Sequence, residues 1–239
     1  MSEGVTARAL AAGYGHKRIF TGLNFDAAGG LTQIVGANGC GKSLFLSMCA
    51  GLVAPFAGEL CVAGADPASG AVRGRVRFVP AEPPLFPELT VSQHVALFGH
   101  IRPESAHRLE SRIEQYRLTP FVDVVVAELS AGNRQKANII LNTMNSGGGG
   151  GFGGLFRGDP GAGVVYLLDE PFNGLDAGSA EVLSGEMRAW AHEGATVIYT
   201  HHEQGPPADG VLSLGAKVFD LAAATSGNGV TSPALPAEG

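Results

Sequence analysis

The chain has 239 residues, of which 45% are hydrophobic and 16% are charged, so it can bury the core of one large domain or two small ones. Its formal net charge of −6 argues against a general nucleic-acid-binding protein. No apolar run approaches the about 20 residues that cross a bilayer, and residues 1–5 lack the basic and then apolar order of a secretion signal. We therefore expect a cytosolic protein that reaches a membrane only through a partner.

The first 80 residues contain short apolar runs separated by glycine and proline. Their β-branched and aromatic content is typical of strands, which we predict at residues 19–25, 31–35, 59–62 and 76–79. A helix is predicted at 44–50, where Gly51 and Pro55 end the apolar pattern.

A glycine-rich motif lies between the strand at 31–35 and this helix. Residues 36–43 follow the pattern G-x-x-x-x-G-K-S of a phosphate-binding loop, and strand, loop and helix are the context that the motif requires. Glycines let backbone N–H groups surround a phosphate, Lys42 can reach the β- and γ-phosphates, and the Ser43 hydroxyl can hold Mg²⁺. Cys40 is either an oxidation-sensitive position or a small filler residue. The predicted nucleotide contacts are Gly36, Ala37, Asn38, Gly39, Cys40, Gly41, Lys42, Ser43 and Leu44.

Residues 90–118 have a different pattern, in which apolar residues recur at helical spacing with charged residues between them. We predict two amphipathic helices there, inserted into an α/β core. An ordinary pair of surface helices is the alternative. Residues 146–163 are dominated by glycine and predict a flexible loop. Residues 221–239 are rich in Ala, Ser, Pro and Gly and predict a disordered tail.

Two carboxylates follow the apolar run at 164–168, which is typical of a buried strand in a parallel sheet. Ligands of such sheets bind at the carboxyl ends of the strands. Asp169 is therefore a candidate second ligand of Mg²⁺, and Glu170 a candidate base for an attacking water. Taken alone, the pattern also fits a strand that runs into an acidic loop.

A helix is predicted at 177–192 and a further strand at 195–200, which ends at His201. His201 would reach the same edge of the sheet and contact the γ-phosphate or the water. A structural histidine is the alternative. A metal site formed with His202 and Glu203 is disfavoured, because neighbouring residues of a strand point to opposite sides.

Residues 129–133, Leu-Ser-Ala-Gly-Asn, resemble the L-S-G-G-Q signature of ATP-binding cassette (ABC) proteins. Residues 169–171 and 174–176 look like the Walker B end and the D-loop of that family, with Asp176 as the D-loop aspartate. His201 matches its switch histidine, and Tyr14 lies where the family places an aromatic ring on adenine. The motifs occur in the family's order. The Leu-Ser-Ala-Gly spelling and the short C-terminal part are similar to the haem-exporter ATPases of cytochrome c maturation.

The resemblance implies an α/β fold class: a P-loop NTPase core with a mixed, mainly parallel sheet and flanking helices, an antiparallel β part and an inserted α-helical subdomain. We expect one cassette domain at residues 1–221, with the helical subdomain at about 84–140, and a tail at 222–239.

The resemblance also implies ATP and Mg²⁺ as ligands and ATP hydrolysis as the activity, in a subunit of a membrane transporter. In the family, two cassettes form a head-to-tail dimer in which one signature closes over the ATP on the other phosphate loop. The expected partners are a second copy of the chain and a membrane-spanning transporter subunit, which would hold this chain in the cytoplasm at the inner face of the cell membrane. No nucleic-acid partner is expected. The signature residues here are Ser130, Ala131, Gly132 and Asn133.

Some positions depart from the family. Ala81 stands where the family has a Mg²⁺-binding glutamine, and Glu82 is a candidate substitute ligand. Asn133 replaces the signature glutamine, and Leu44 replaces a common threonine. These departures motivate an alternative, an ATP-binding regulatory cassette with weak hydrolysis. A soluble ABC protein without a transport role is a further alternative.

Overall fold

The computed structural model describes residues 4–72, 74–101, 106–144, 163–201 and 217–225. Within these ranges the chain forms eight strands and six α-helices. In chain order they are β1 (Val5–Tyr14), β2 (Lys17–Ala27), β3 (Gly30–Val35), α1 (Lys42–Cys49), β4 (Ala57–Val62), β5 (Val76–Val79), α2 (Val91–Ile101), α3 (Ala106–Gln115), α4 (Ala131–Asn142), β6 (Val165–Leu168), α5 (Ala177–His192), β7 (Thr196–Thr200), β8 (Lys217–Asp220) and α6 (Leu221–Thr225).

Five strands form a parallel sheet in the order β5-β6-β7-β3-β8. Every residue of β6 and β7 is buried, because helices cover both faces of the sheet. This explains why both strands are apolar in the sequence, apart from the threonines at the two ends of β7. Their carboxyl ends meet the carboxyl end of β3 at one edge of the sheet, where the candidate site lies.

A second sheet is antiparallel, with the order β2-β1-β4, and α1 packs between it and the parallel sheet. Three phenylalanine rings join the layers. Phe25 of β2 contacts Phe45 of α1 at a centroid distance of 5.0 Å and Phe219 of β8 at 4.8 Å, both edge to face. Such pairs add to the free energy of burial. The antiparallel sheet therefore holds α1, and with it the phosphate loop, against the parallel sheet.

The helical part, α2 to α4, follows β5 and precedes β6, as an insert does. Together with α5 it encloses a second apolar cluster on the parallel sheet. The start of α2 is a capping box: the Thr90 hydroxyl accepts from the Gln93 N–H at 3.2 Å, and the Gln93 side chain accepts from the Thr90 N–H at 2.9 Å. The predicted α/β fold class, with its antiparallel part and helical insert, is confirmed.

Some predictions fail. The sequence patterns did not predict β1, which is rich in alanine, or the short β8. The prediction of a disordered segment from residue 221, or a tail from 222, is wrong for Leu221–Thr225, which form α6 with Leu221 fully buried. Residues 226–239 lie outside the described ranges, as does the predicted glycine-rich loop except for Gly163. None of the helices in the described ranges has the length and apolar character needed to cross a membrane.

Candidate functional site

A cavity of about 210 Å³ opens where the loop after β3, the end of β1 and the segment after β6 meet. Its walls therefore combine the phosphate loop, the predicted adenine-stacking ring and the predicted base. The lining residues are Tyr14, Ile19, Asn38, Gly39, Gly41, Lys42, Ser43, Leu44 and Glu170. Gly36, Ala37 and Cys40 belong to the same loop without lining the cavity.

The phosphate loop connects β3 to α1 through a tight turn. Gly41 caps α1 with a φ of 106°, and a Cβ there would lie 2.8 Å from the Phe20 ring. Only glycine satisfies both the left-handed backbone and the close approach. The Phe45 N–H already donates to the Gly41 carbonyl oxygen at 2.8 Å, so the helix begins directly at the cavity.

Lys42 is buried, and its ammonium group lies within its own loop. Nζ donates to the carbonyl oxygens of Gly36 and Ala37, the latter at 3.4 Å. The neighbouring Ser43 is exposed and lines the cavity. A cation beside the N-terminus of an eight-residue helix makes a binding site for an anion.

Asp169 and Glu170 follow β6 and are held from β7. Asp169 is 3% exposed, and its Oδ1 accepts from the Thr200 hydroxyl at 2.7 Å. Glu170 has a φ of 49°, a left-handed conformation that is uncommon outside glycine. Its N–H donates to the Thr200 hydroxyl at 2.8 Å, and its carboxylate accepts from the Asn173 side chain. Asp169 and Glu170 thus follow the same strand but lie in different environments: Asp169 is buried, and Glu170 lines the cavity.

Two of the predicted site residues carry oxygen donors of the kind that Mg²⁺ binds. The Ser43 hydroxyl and the Asp169 carboxylate are both hard oxygen ligands. No group of three or more His, Cys, Asp or Glu residues suited to a metal exists in the described ranges.

Three further predicted site residues, Asp169, His201 and Glu82, do not line the cavity. His201 directly follows β7 and is half-buried. Glu82 is exposed beyond the end of β5, as is Ala81, whose methyl group cannot bind a metal. Neither His201 nor Glu82 lines the cavity.

The predicted signature residues start α4, away from the cavity of their own chain. Ser130 is the exposed N-cap, and its hydroxyl accepts from the Asn133 N–H at 3.2 Å. A Cβ on Gly132 would lie 2.5 Å from the carbonyl oxygen of Gly174. The signature loop therefore packs directly on the predicted D-loop.

Asp176 caps α5 and binds α4 at the same time. Its Oδ1 accepts from the Ser179 N–H at 2.9 Å, and its Oδ2 lies 2.6 Å from the Lys136 ammonium nitrogen. The hydrogen bond from Lys136, followed by that from Ser179, holds the pKa of Asp176 well below its usual range. The predicted D-loop aspartate is thus anchored within its own chain.

Sequence reasoning missed some polar residues of the site. Thr200 forms hydrogen bonds with both Asp169 and Glu170. The sequence feature that could have identified it is a polar residue at the end of a buried strand. Two buried amides of α4 also escaped notice: Gln135 donates to the Pro171 carbonyl at 3.2 Å, and Asn138 to the Pro80 carbonyl at 2.9 Å. They tie α4 to the segments that follow β6 and β5. Their signal is an amide on the buried face of a helix.

Comparisons with known proteins show what the chain is similar to. A family model described as "ABC transporter" matches residues 20–147. The chain is 31% identical over 196 residues to the Nod factor export ATP-binding protein I of Rhizobium meliloti (strain 1021), covering 79% of this chain and 54% of that protein. It is 31% identical over 206 residues to the cytochrome c biogenesis ATP-binding export protein CcmA of Rhodospirillum rubrum, covering 84% and 81%.

A solved structure of the ATP-binding subunit of an ABC transporter superposes with a TM-score of 0.67 at 25% identity, covering 83% of this chain and 79% of that chain. The chain spans little more than half the length of the Nod factor export relatives, from 54% to 59%, and most of the length of the cytochrome c biogenesis relatives.

Proposed function

The chain belongs to the ABC transporter family, and on that premise we propose that it binds and hydrolyses MgATP as the nucleotide-binding subunit of a membrane transporter. One observation carries the proposal: Tyr14, the phosphate loop and Glu170 line one cavity, with Asp169 directly beside it in the chain. The relatives named above are export ATP-binding proteins, so we propose export as the direction of transport.

In this proposal the phosphate loop holds the triphosphate. Lys42 exchanges its carbonyl partners in the loop for the β- and γ-phosphates, a stronger pairing because the new partners are anionic. Tyr14, which is 62% exposed at the cavity mouth, stacks on the adenine. Ser43 and Asp169 hold Mg²⁺, which when bound neutralises charge on the triphosphate.

Glu170 is the proposed base. It lines the cavity, so its carboxylate can accept a proton from a water beside the γ-phosphate. Asn173, which donates to that carboxylate, keeps it from turning away. His201, which directly follows β7, is the proposed polar partner of the γ-phosphate. Glu82 is not our preferred Mg²⁺ ligand, because it is exposed beyond the end of β5 and does not line the cavity.

We propose that two copies of the chain act head to tail. Ser130, Ala131, Gly132 and Asn133 do not line the cavity of their own chain, so a second chain must supply a signature to cap the nucleotide. The start of α4 presents backbone N–H groups and a positive helix end, which suit an anionic phosphate. Nucleotide would then be part of the interface, and hydrolysis would release the dimer.

The domain and its location follow from the same proposal. We propose one cassette domain, which α6 extends to residue 225, with the helical subdomain at about 84–140 as the docking part. Docking on a membrane-spanning subunit would place the chain at the cytoplasmic face of the membrane. No nucleic-acid partner is proposed.

The test compares the wild type with Glu170→Gln in ATP binding, hydrolysis and ATP-dependent dimer formation. We expect the variant to bind ATP normally, to hydrolyse it at least about 100-fold more slowly, and to accumulate as a dimer with ATP by sedimentation. Lys42→Ala is the binding control and should lose ATP affinity. Full hydrolysis by Glu170→Gln would remove Glu170 as the base, and a wild type without affinity for ATP would end the proposal.

A second candidate function is a regulatory cassette that binds ATP but hydrolyses it poorly. Ala81 favours it, because this position offers no metal ligand and Glu82 does not line the cavity. Tight binding with negligible turnover beside the membrane partner would select this candidate. Ala81→Gln should then raise the rate of ATP hydrolysis. If it does not, the missing glutamine is not the cause of the slow hydrolysis.

A further inference from the structure

We propose that Thr200 is a positioning residue for both carboxylates of the site: its hydroxyl orients Asp169 for Mg²⁺ and holds Glu170 in the backbone conformation that points it at the cavity. The inference rests on the proposed function. Thr200 itself contacts neither the nucleotide nor the metal in the proposed function.

The hydrogen bonds of Thr200 have a defined direction. Thr200 is the last residue of β7, which lies between β6 and β3 in the sheet, and it is fully buried. The Glu170 N–H can only donate, at 2.8 Å, so the hydroxyl accepts from it. The single hydroxyl proton then goes to Asp169 Oδ1 at 2.7 Å. One side chain therefore connects two successive residues of a neighbouring strand end.

The first consequence concerns Asp169. Thr200 engages Oδ1, and within the described part of the chain Oδ2 carries no hydrogen bond. The carboxylate is therefore held in one rotation with a defined oxygen available to the ion. Such partners of a ligand are known to set both its direction and its basicity.

The second consequence concerns Glu170. Its φ of 49° is disfavoured for a residue with a Cβ, so contacts must maintain it. The bond from the Glu170 N–H to Thr200 is one, and the bond from the Asn173 N–H to the Glu170 carbonyl at 3.1 Å is another. Since the backbone conformation decides where the side chain leaves the chain, the Thr200 hydroxyl also decides where the Glu170 carboxylate lies.

Thr196 offers a matched control on the same strand. It is 2% exposed, and its hydroxyl also accepts from a backbone N–H, that of Gly29 at 2.9 Å. It lies at the opposite end of β7, away from the cavity. If the Thr200 hydroxyl only satisfies a buried N–H, its removal should therefore have the same effects as removal of the Thr196 hydroxyl.

The experiment compares Thr200→Val with Thr196→Val in the full chain. Thermal unfolding is followed with ATP and EDTA, and with ATP over a Mg²⁺ titration; ATP hydrolysis is measured over the same titration. For Thr200→Val we expect an about tenfold higher half-saturating Mg²⁺ concentration and an about 10- to 100-fold lower kcat. Its KM for ATP and its stabilisation by ATP in EDTA should stay at wild-type values. Thr196→Val should lose thermal stability without either change.

Thr200→Ser keeps the hydroxyl and should restore the wild-type Mg²⁺ dependence. If Thr200→Val does not fold, Thr200→Cys replaces it, because a thiol is a weaker hydrogen-bonding group and should give an intermediate Mg²⁺ requirement. Equal Mg²⁺ dependence of the Thr200 and Thr196 variants, with an active wild type, overturns this inference and leaves the proposed function intact. A wild type that neither binds nor hydrolyses ATP overturns both.

Discussion

The absence of a side chain at Gly132 lets the signature loop touch the predicted D-loop. A Cβ there would meet the carbonyl oxygen of Gly174 at 2.5 Å, well inside a normal contact distance. Gly174 itself has a φ of 76°, a left-handed conformation that glycine adopts without a steric penalty. In our proposal the signature loop binds the partner's nucleotide, and the D-loop follows Glu170, the proposed base. This contact therefore connects the nucleotide-capping loop to the segment that carries the base.

Gly132→Ala should lower the free energy of unfolding by about 1–3 kcal/mol, because overpacking forces the two backbones apart. Urea unfolding measures the change. Gly185→Ala in α5 is the control, since a Cβ there meets no atom within 4 Å. That control should be neutral or stabilising by up to about 1 kcal/mol. A Gly132→Ala variant as stable as this control would contradict the packing argument.

Asp176 makes the stability of the chain depend on pH. Its pKa is held below the unfolded value by Lys136 and the Ser179 N–H. A carboxyl with a lowered pKa stabilises the fold above its unfolded pKa of about 4, and this contribution is lost as the pH falls further. Since the side chain is 49% exposed, the contribution is small.

Asp176→Asn keeps a capping side chain but removes the charge. At pH 7 we expect it to lower the free energy of unfolding by less than about 1 kcal/mol, because solvent screens the ion pair. Between pH 4 and pH 2 the difference from the wild type should shrink. Urea unfolding across this range checks the sign, and a difference that grows toward low pH would contradict it.

At the scale of elements, a buried ionic cluster fastens the helical insert to the core. Arg112 of α3 donates to Glu186 of α5 at 2.6 Å and to Thr143 at 2.7 Å, just beyond α4. Tyr116 donates to the same glutamate at 2.8 Å, and burial, with the nearby Glu186 charge, raises the pKa of Tyr116 well above its usual range. The hydroxyl therefore remains a donor. The cluster sets how α3, α4 and α5 lie against each other.

Glu186→Ala should cost about 3 kcal/mol or more of the free energy of unfolding, because it leaves a buried arginine without its anion. Asp26→Ala is the control. It removes the partner of Arg8 in an ion pair whose side chains are 56% and 57% exposed, and it should cost less than about 1 kcal/mol. Urea unfolding at constant salt compares the two variants. Equal losses of the free energy of unfolding would show that burial does not increase the contribution of an ion pair to stability.

At the scale of the whole molecule, the described residues on either side of the glycine-rich segment lie near the amino end of β5, and the cavity lies at the carboxyl ends of the strands. Arg77 of β5 donates to the Met144 carbonyl at 3.2 Å, before the segment. Gly163, after it, adjoins Arg75, and the Val165 N–H donates to the Arg75 carbonyl at 2.8 Å. Met144 and Gly163 are thus both held by residues at the amino end of β5, which motivates a test of whether the segment between them takes part in the site.

Replacing residues 146–162 by a short Gly-Ser linker should leave ATP binding unchanged. We expect the free energy of unfolding to stay the same or rise by up to about 1 kcal/mol, because closing a shorter loop costs less entropy. Nucleotide titration and urea unfolding measure the two quantities. A loss of ATP affinity would show that the segment takes part in the site.

Local patterns in the sequence were enough to predict most of the fold and the phosphate loop beside the cavity. We could predict the strand, the glycine loop and the helix around Lys42 because each depends on residues that are neighbours in the sequence. The apolar run before Asp169 likewise predicted a strand that is buried on both faces. β1 escaped because its alanines favour no element strongly. α6 escaped because five residues with one buried leucine give too short a pattern.

The amino-acid sequence by itself determined the phosphate loop, the strand that ends in two carboxylates and the family to which they point, because backbone preference and hydrophobic period act over a few residues. Only the tertiary structure decided that Thr200 connects those carboxylates, that Gly132 touches Gly174, and that Arg112 meets Glu186. These partners lie 31 residues apart for Thr200 and Asp169 and 74 apart for Arg112 and Glu186. Such contacts arise when the core closes, and packing of distant elements selects them.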